Sequence, residues 1–192
     1  MDQNLKNIQD MNDEYSVSII NNAGLISRLF SDIRWRKVSF TIPMIPKPSQ
    51  RPRLSGYRVY VPGASKNGTF FNNNVLPTLK GLFITTPCKI KLDIYVETPH
   101  SFTKTQKMLA EMKVLRPWTS TGDVDNYEKA VFDMMQPNEK RGHVGIMSND
   151  CLIIESHTNK YYSRNPRYEV SIAYMGDIPE SILGPLKLKD KV

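Results

Sequence analysis

Apolar positions along this chain fall into short runs whose period changes, and each change marks an element. Ile19, Ile20, Ala23, Ile26, Leu29, Phe30 and Ile33 recur at helical spacing. They predict one helix near the N-terminus that packs on the domain or on a second subunit. Residues 37–42 alternate and stop at Pro43, which predicts a first strand. Pro43, Pro46, Pro48 and Pro52 then demand an extended loop, because proline and the residue before it leave the helical region. A second short strand is expected over 57–61, closed by Pro62-Gly63. A helix is expected within 72–84, starting near Pro77. The clearest strand is 89–96, with Ile90, Leu92, Ile94 and Val96 on one face. A charged helix over 103–114 ends at Arg116-Pro117. A further helix, capped by Asp125, runs to Gln136 and is stopped by Pro137. Strands over 152–158 and 168–175 complete the pattern. The order predicts an α/β (α+β) fold, a small mixed β-sheet packed with helices, over 33–176. Residues 1–32 are expected to form a helical extension and 177–192 a tail.

Composition narrows the class. With 192 residues, 40% hydrophobic and 23% charged, the chain holds one domain and its extensions. Apolar runs such as Leu82-Phe83-Ile84 are far too short to span a bilayer, and the polar N-terminus leads into no secretory core. Cys88 and Cys151 give neither a disulfide framework nor a metal knuckle. No membrane association and a reduced, cytoplasmic setting are therefore expected.

Charge changes the picture more. The net charge is +7, yet from Ile33 to Leu92 there is no Asp or Glu, against eleven Lys and Arg. The rest of the chain is net acidic. Such segregation is the footprint of a polyanion-binding surface, with a solvated basic face as the plain alternative.

Within the acidic remainder stands Asp123-Val124-Asp125-Asn126-Tyr127-Glu128-Lys129, followed by an isolated Asp150. Asp125-x-x-Glu128 reads as an acidic helix cap, and Lys129 as an i,i+4 partner of Asp125. That reading leaves Asp123 and Asp150 unexplained. Repelling carboxylates are tolerated together when a cation lies between them, and oxygen-only donors select Mg²⁺ or Mn²⁺ over zinc. His100, His143 and His157 have no ligand spacing; His143 and His157 read as surface or packing residues. On this metal reading Asp123, Asp125 and Asp150 hold the ion and Lys129 stabilises phosphate charge or orients the attacking water. Asn126 either tunes the carboxylates or caps the helix.

From about Val38 to Met175 the chain resembles the RusA family of Holliday-junction resolvases, small homodimeric Mg²⁺-dependent endonucleases common in phages and prophages. Ser49-Gln50-Arg51-Pro52-Arg53 with Tyr60-Val61-Pro62 and Ser65-Lys66 is similar to the family's basic loop. Thr98-Pro99-His100-Ser101 resembles the segment before its acidic turn. Asp123-x-Asp125-Asn126-x-x-Lys129-x-x-x-Asp133 resembles its central signature, Asn149-Asp150 its downstream acid pair, and Lys160 the lysine that follows.

The resemblance implies that Asp123, Asp125 and Asp150 are metal-binding catalytic carboxylates and Lys129 the catalytic lysine, with Asn126 and Asp133 in support. It implies a homodimer acting on four-way DNA junctions in a bacterial or phage-infected host cytoplasm, with Mg²⁺ replaceable by Mn²⁺. Arg51, Arg53, Arg58, Lys66 and Lys160 are then the DNA contacts, positioning junction arms through phosphates. Tyr57, Tyr60 and Phe70 either stack at the junction centre or belong to the core, and the core is the expectation. The chain departs from the family in carrying Asn149 for one acid, Thr121-Gly122 for a Lys-Pro, and a longer loop over 137–148. A nuclease for flaps or other branched DNA is the alternative within enzymes. A non-catalytic DNA-binding protein, its acidic turn only a helix cap, is the alternative outside them.

Overall fold

Alternation along β4 (Cys88–Glu97) organises the fold: Cys88, Ile90, Leu92, Ile94 and Val96 are buried, while Lys89, Lys91 and Glu97 are exposed, and only Tyr95 is buried on the opposite face. In a computed structural model, residues 35–50, 53–55, 57–60, 64–118 and 121–176 are described. The expected N-terminal helix and C-terminal tail lie outside these residues. Arg36–Tyr174 form one compact unit.

Four strands make a mixed sheet in the order β1 (Trp35–Ile42), β6 (Arg167–Met175), β4, β5 (Ile153–Ser163). β4 pairs antiparallel with β6 and parallel with the edge strand β5. The β4–β5 connection carries α2 (Lys104–Glu111) and α3 (Val124–Met135). β2 (Arg53–Ser55) and β3 (Arg58–Tyr60) form a separate antiparallel hairpin, and α1 (Ala64–Asn74) follows it.

One face of the sheet is apolar. Tyr168, Val170 and Ile172 of β6 stand beside Ile94, Leu92 and Ile90, and α3 adds Tyr127, Ala130, Val131, Met134 and Met135. That i, i+3, i+4, i+7, i+8 stripe is what a helix half-sunk in a core requires. The other face is polar at one end, with Lys89–Glu155 at 2.6 Å and Asn159 Nδ2 donating to Asp93 at 3.0 Å, and carries a buried Tyr95–Tyr161 stack at the other.

Four elements differ from the sequence expectation. The helix expected within 72–84 lies upstream, at Ala64–Asn74, and Pro77 sits instead in a 3-10 turn over Leu76–Leu79. Burial of Phe71 and Val75 holds α1 in place despite Gly68 and four asparagines of poor helical propensity. α2 stops at Glu111, with Lys113 left-handed (φ 61°). β5 runs on to Ser163, and β2 was not foreseen. Tyr57, expected in the core, is fully exposed beside the hairpin, whereas Phe70 is half-buried; the side chain of Tyr60 lies outside the described residues.

Candidate active site

α3 starts at Val124, with Asp123 at its N-cap in extended conformation (φ −67°, ψ 151°). The expected cap at Asp125 is therefore displaced by two residues, and Asp125 lies in the first helical turn. The Asp123 carboxylate makes no capping hydrogen bond. Glu128 does not close a capping box either. Its Oε1 accepts from Ser156 Oγ at 2.6 Å and from Thr158 Oγ1, both on β5. Lys129 pairs forward with Asp133 at 3.5 Å rather than back with Asp125.

The turn before α3 is held from two sides. Lys160, on β5, donates its Nζ to Gly122 O at 2.9 Å. Partial burial lowers the Lys160 pKa from 10.5, and the nearby Asp123 charge opposes that shift. From the other side comes the proline loop, which makes contacts through three successive residues. Lys47 N donates to the Tyr168 hydroxyl at 3.0 Å, and that hydroxyl donates back to Lys47 O at 3.3 Å. Pro48 packs against Gly122, where an added Cβ would lie 2.6 Å from the Pro48 ring. Ser49 N donates to Asn126 O at 2.8 Å. Gly122 is thus required by close approach, and the basic loop is anchored to the acidic turn just before Arg51. Arg51 lies outside the described residues, as do the side chains of Arg53 and Arg58. Lys66 is exposed on α1.

Asp150 arrives by another route. After α3 the chain turns back under the helix end: Ile146 N and Met147 N donate to Met135 O at 2.7 and 3.0 Å. Gly145 (φ 68°) permits this turn, because a Cβ there would meet Met135 O at 2.5 Å. His143 fills the space above, buried, with Nε2 at 2.5 Å from Met134 O and Nδ1 at 2.8 Å from Asn72 Oδ1. It is a packing residue, as expected, whereas His157 is exposed. Asn149 then caps a 3-10 turn over Asp150–Leu152, its Oδ1 accepting from Cys151 N at 2.9 Å. Asn149 therefore shapes the turn, and Asp150 is exposed.

Asp123 and Asp125 share one turn, Lys129 follows a turn later on the same helix, and Asp150 opens a separate element ahead of β5. Among the described residues, no three His, Cys, Asp or Glu side chains converge so as to hold a metal ion. The donor chemistry nevertheless suits a hard divalent cation. Asp125 and Asp150 are exposed carboxylates that make no hydrogen bond or ion pair with another described residue. Thr121 Oγ1, beside the turn, is buried without a partner among them.

Sequence reasoning missed three contributors: the Glu128–β5 contacts, the Tyr168 anchor and the Pro48–Gly122 approach. Only the first left a local signal, in the alternation of Ser156, Thr158 and Lys160 along a strand that packs on a helix.

Comparison with known proteins places the chain in a family. The family model described as Endodeoxyribonuclease RusA matches residues 43–173, from the proline loop to the last strand. The chain is also similar to "Uncharacterized protein YqaN" of Bacillus subtilis (strain 168), 30% identical over 142 residues, which is 70% of this chain and 94% of that protein. The family match takes in the acidic turn, Asp150 and the loop anchored between them and β6, so the chain belongs to the RusA family of endodeoxyribonucleases.

Proposed function

We propose that the protein is a Holliday-junction resolvase that makes paired, Mg²⁺-dependent nicks in four-way DNA junctions. The observation that carries this reading is how the acidic groups are used. Glu128, Asp133 and Asn149 are engaged by the fold, while the carboxylates of Asp125 and Asp150 are left open and Asp123 caps nothing. Open carboxylates two residues apart, at Asp123 and Asp125, cost repulsion unless a cation offsets it.

Asp123, Asp125 and Asp150 would hold that cation, with Mn²⁺ able to replace Mg²⁺. When bound, a divalent ion supplies a nucleophilic water at neutral pH and neutralises charge on the phosphate. Lys129 can then serve the phosphate, because its pairing with Asp133 is a surface ion pair of about 0.2–1 kcal/mol and releases readily. Lys160 holds the Gly122 carbonyl and so keeps Asp123 at the helix entrance. Arg51 and Arg53 follow the anchored proline loop in sequence and would supply phosphate contacts flanking the cut. A junction has approximate two-fold symmetry and needs two opposed nicks, so a C₂ homodimer with one site per subunit is the matching assembly. No described helix is long and apolar enough to cross a membrane.

The test compares a synthetic four-way junction, a flap and a plain duplex in Mg²⁺ or Ca²⁺. Symmetric nicks in the junction alone, in Mg²⁺, are expected; preferential flap cutting would replace the junction with another branched substrate. Asp125→Asn should lose cleavage by at least about a hundredfold while retaining junction binding, because removing a negative charge cannot weaken attraction to phosphate. Undiminished nicking by that variant would remove Asp125 from the mechanism.

A further inference from the structure

The face of β5 that meets α3 is polar where the neighbouring strand is apolar. Ile90, Leu92 and Ile94 of β4 are buried, and their partners in register on β5 are Ser156, Thr158 and Lys160. Apolar residues at these positions would extend the core, at roughly 25 cal/mol per Å² of buried apolar surface. Thr158 and Lys160 are half-buried and Ser156 is exposed, yet all three are engaged by protein groups. Lys160 takes Gly122 O, and the two hydroxyls take one oxygen of Glu128.

We propose that Glu128 is a positioning residue, whose carboxylate is latched by Ser156 and Thr158 so that the rotation of α3 on β5, and with it Asp125 and Lys129, is fixed. The inference rests on the nuclease reading of the site but concerns residues to which that reading gives no role. Glu128 lies three residues after Asp125 and adjacent to Lys129, so any roll of the helix moves all three together. Two hydroxyls on alternate residues of one strand define a line rather than a point, and an oxygen shared between them resists that roll. Lys160 pins the entrance to the same helix through Gly122, so β5 holds α3 at two places. Hydroxyl donors also satisfy the carboxylate without neutralising it. A lysine there would pin the helix equally well but would cancel negative charge that a cation site uses.

Since both hydroxyls bond to Oε1, Glu128→Gln keeps the latch and removes the charge. Glu128→Ala removes both, and Ser156→Ala with Thr158→Val removes the latch and keeps the charge. The full-length protein is titrated with Mn²⁺, read by thermal stabilisation and by junction nicking. Amide hydrogen exchange over 124–128 is followed without metal. Glu128→Ala and the double variant should raise the Mn²⁺ midpoint about tenfold or more, as loss of an outer-shell contact does, and should quicken exchange at the helix entrance. Glu128→Gln should stay close to wild type in both. If Glu128→Gln falls as far as Glu128→Ala, the charge or direct ligation matters and the latch is refuted. If the double variant matches wild type, the hydroxyls do not position the helix and the proposal fails. A wild-type protein that neither responds to Mn²⁺ nor cuts would overturn the nuclease reading instead, while the exchange measurement would still decide the latch.

Discussion

Single residues in this protein divide by what their polar atoms are used for. Asn149 spends its amide oxygen on a turn, Glu128 its carboxylate on a strand, and Tyr168 its hydroxyl on a loop. Tyr168 has a consequence that can be measured. It is buried and its hydroxyl both accepts from and donates to Lys47, anchoring the loop that reaches Gly122. Burial pushes its pKa well above 10.0, outweighing the opposing Lys47 N–H. Burial also raises Tyr127, and it lifts Cys88 from 9.0 to about 11. In each case the unfolded chain gives up its proton first, so stability is fully present below the unfolded pKa and is lost as pH rises through the folded value. For Tyr168 the loss begins near pH 10 and can reach about 1.4 kcal/mol per pH unit. Urea denaturation between pH 8 and 11 should show a falling midpoint, and Tyr168→Phe should flatten the fall while lowering stability at pH 8. A midpoint that stays level above pH 10 would contradict the buried, neutral phenol.

At the scale of elements, legibility in sequence followed how local the determinants were. β4 was readable because one buried face places an apolar residue at every second position from Cys88 to Val96. α3 was readable in type, but its start was set two residues late: Asp125-x-x-Glu128 has capping spacing, while the partners that claim Glu128 lie 28 and 30 residues away. α1 was illegible. Its sequence, with Gly68 and Asn72-Asn73-Asn74, disfavours a helix, and tertiary packing overrides that preference. Phe71 supplies much of the packing: it is fully buried and meets Phe40 of β1 and His143 edge-on, with ring centroids 6.2 and 6.0 Å away. Phe71→Ala should therefore cost about 3–5 kcal/mol in chemical denaturation. Phe70→Ala, at a half-buried neighbour, should cost far less. Equal costs would mean that α1 is not held by the face described here. The proposed carboxylates Asp123, Asp125 and Asp150 were legible only as residue types, since the placement of Asp150 is set by the turn back from α3 through Gly145 rather than by local spacing.

For the whole molecule, the segregation of charge fits an acid-free stretch from Ile33 to Leu92 that meets a polyanion. The two halves are joined at the site itself, because the loop leading to Arg51 is pinned between β6 and the entrance of α3. A basic surface anchored to an acidic turn can attract DNA strongly without burying its cations in protein contacts. Each phosphate neutralised releases counterions, so log Kd for a junction should vary with log salt at a slope of about 0.9 per contact. Measured by anisotropy in Ca²⁺ between 50 and 200 mM salt, binding should weaken steeply. Lys66, exposed on α1 within the acid-free stretch, should lower the slope by about one when changed to Ala. Lys140, exposed on a 3-10 turn outside that stretch, serves as the contrast, and Lys140→Ala should leave the slope unchanged. A slope that responds equally to both lysines would show that DNA is attracted by net charge alone. A slope that responds only to Lys66 places the DNA on the acid-free half, beside the carboxylates that would cut it.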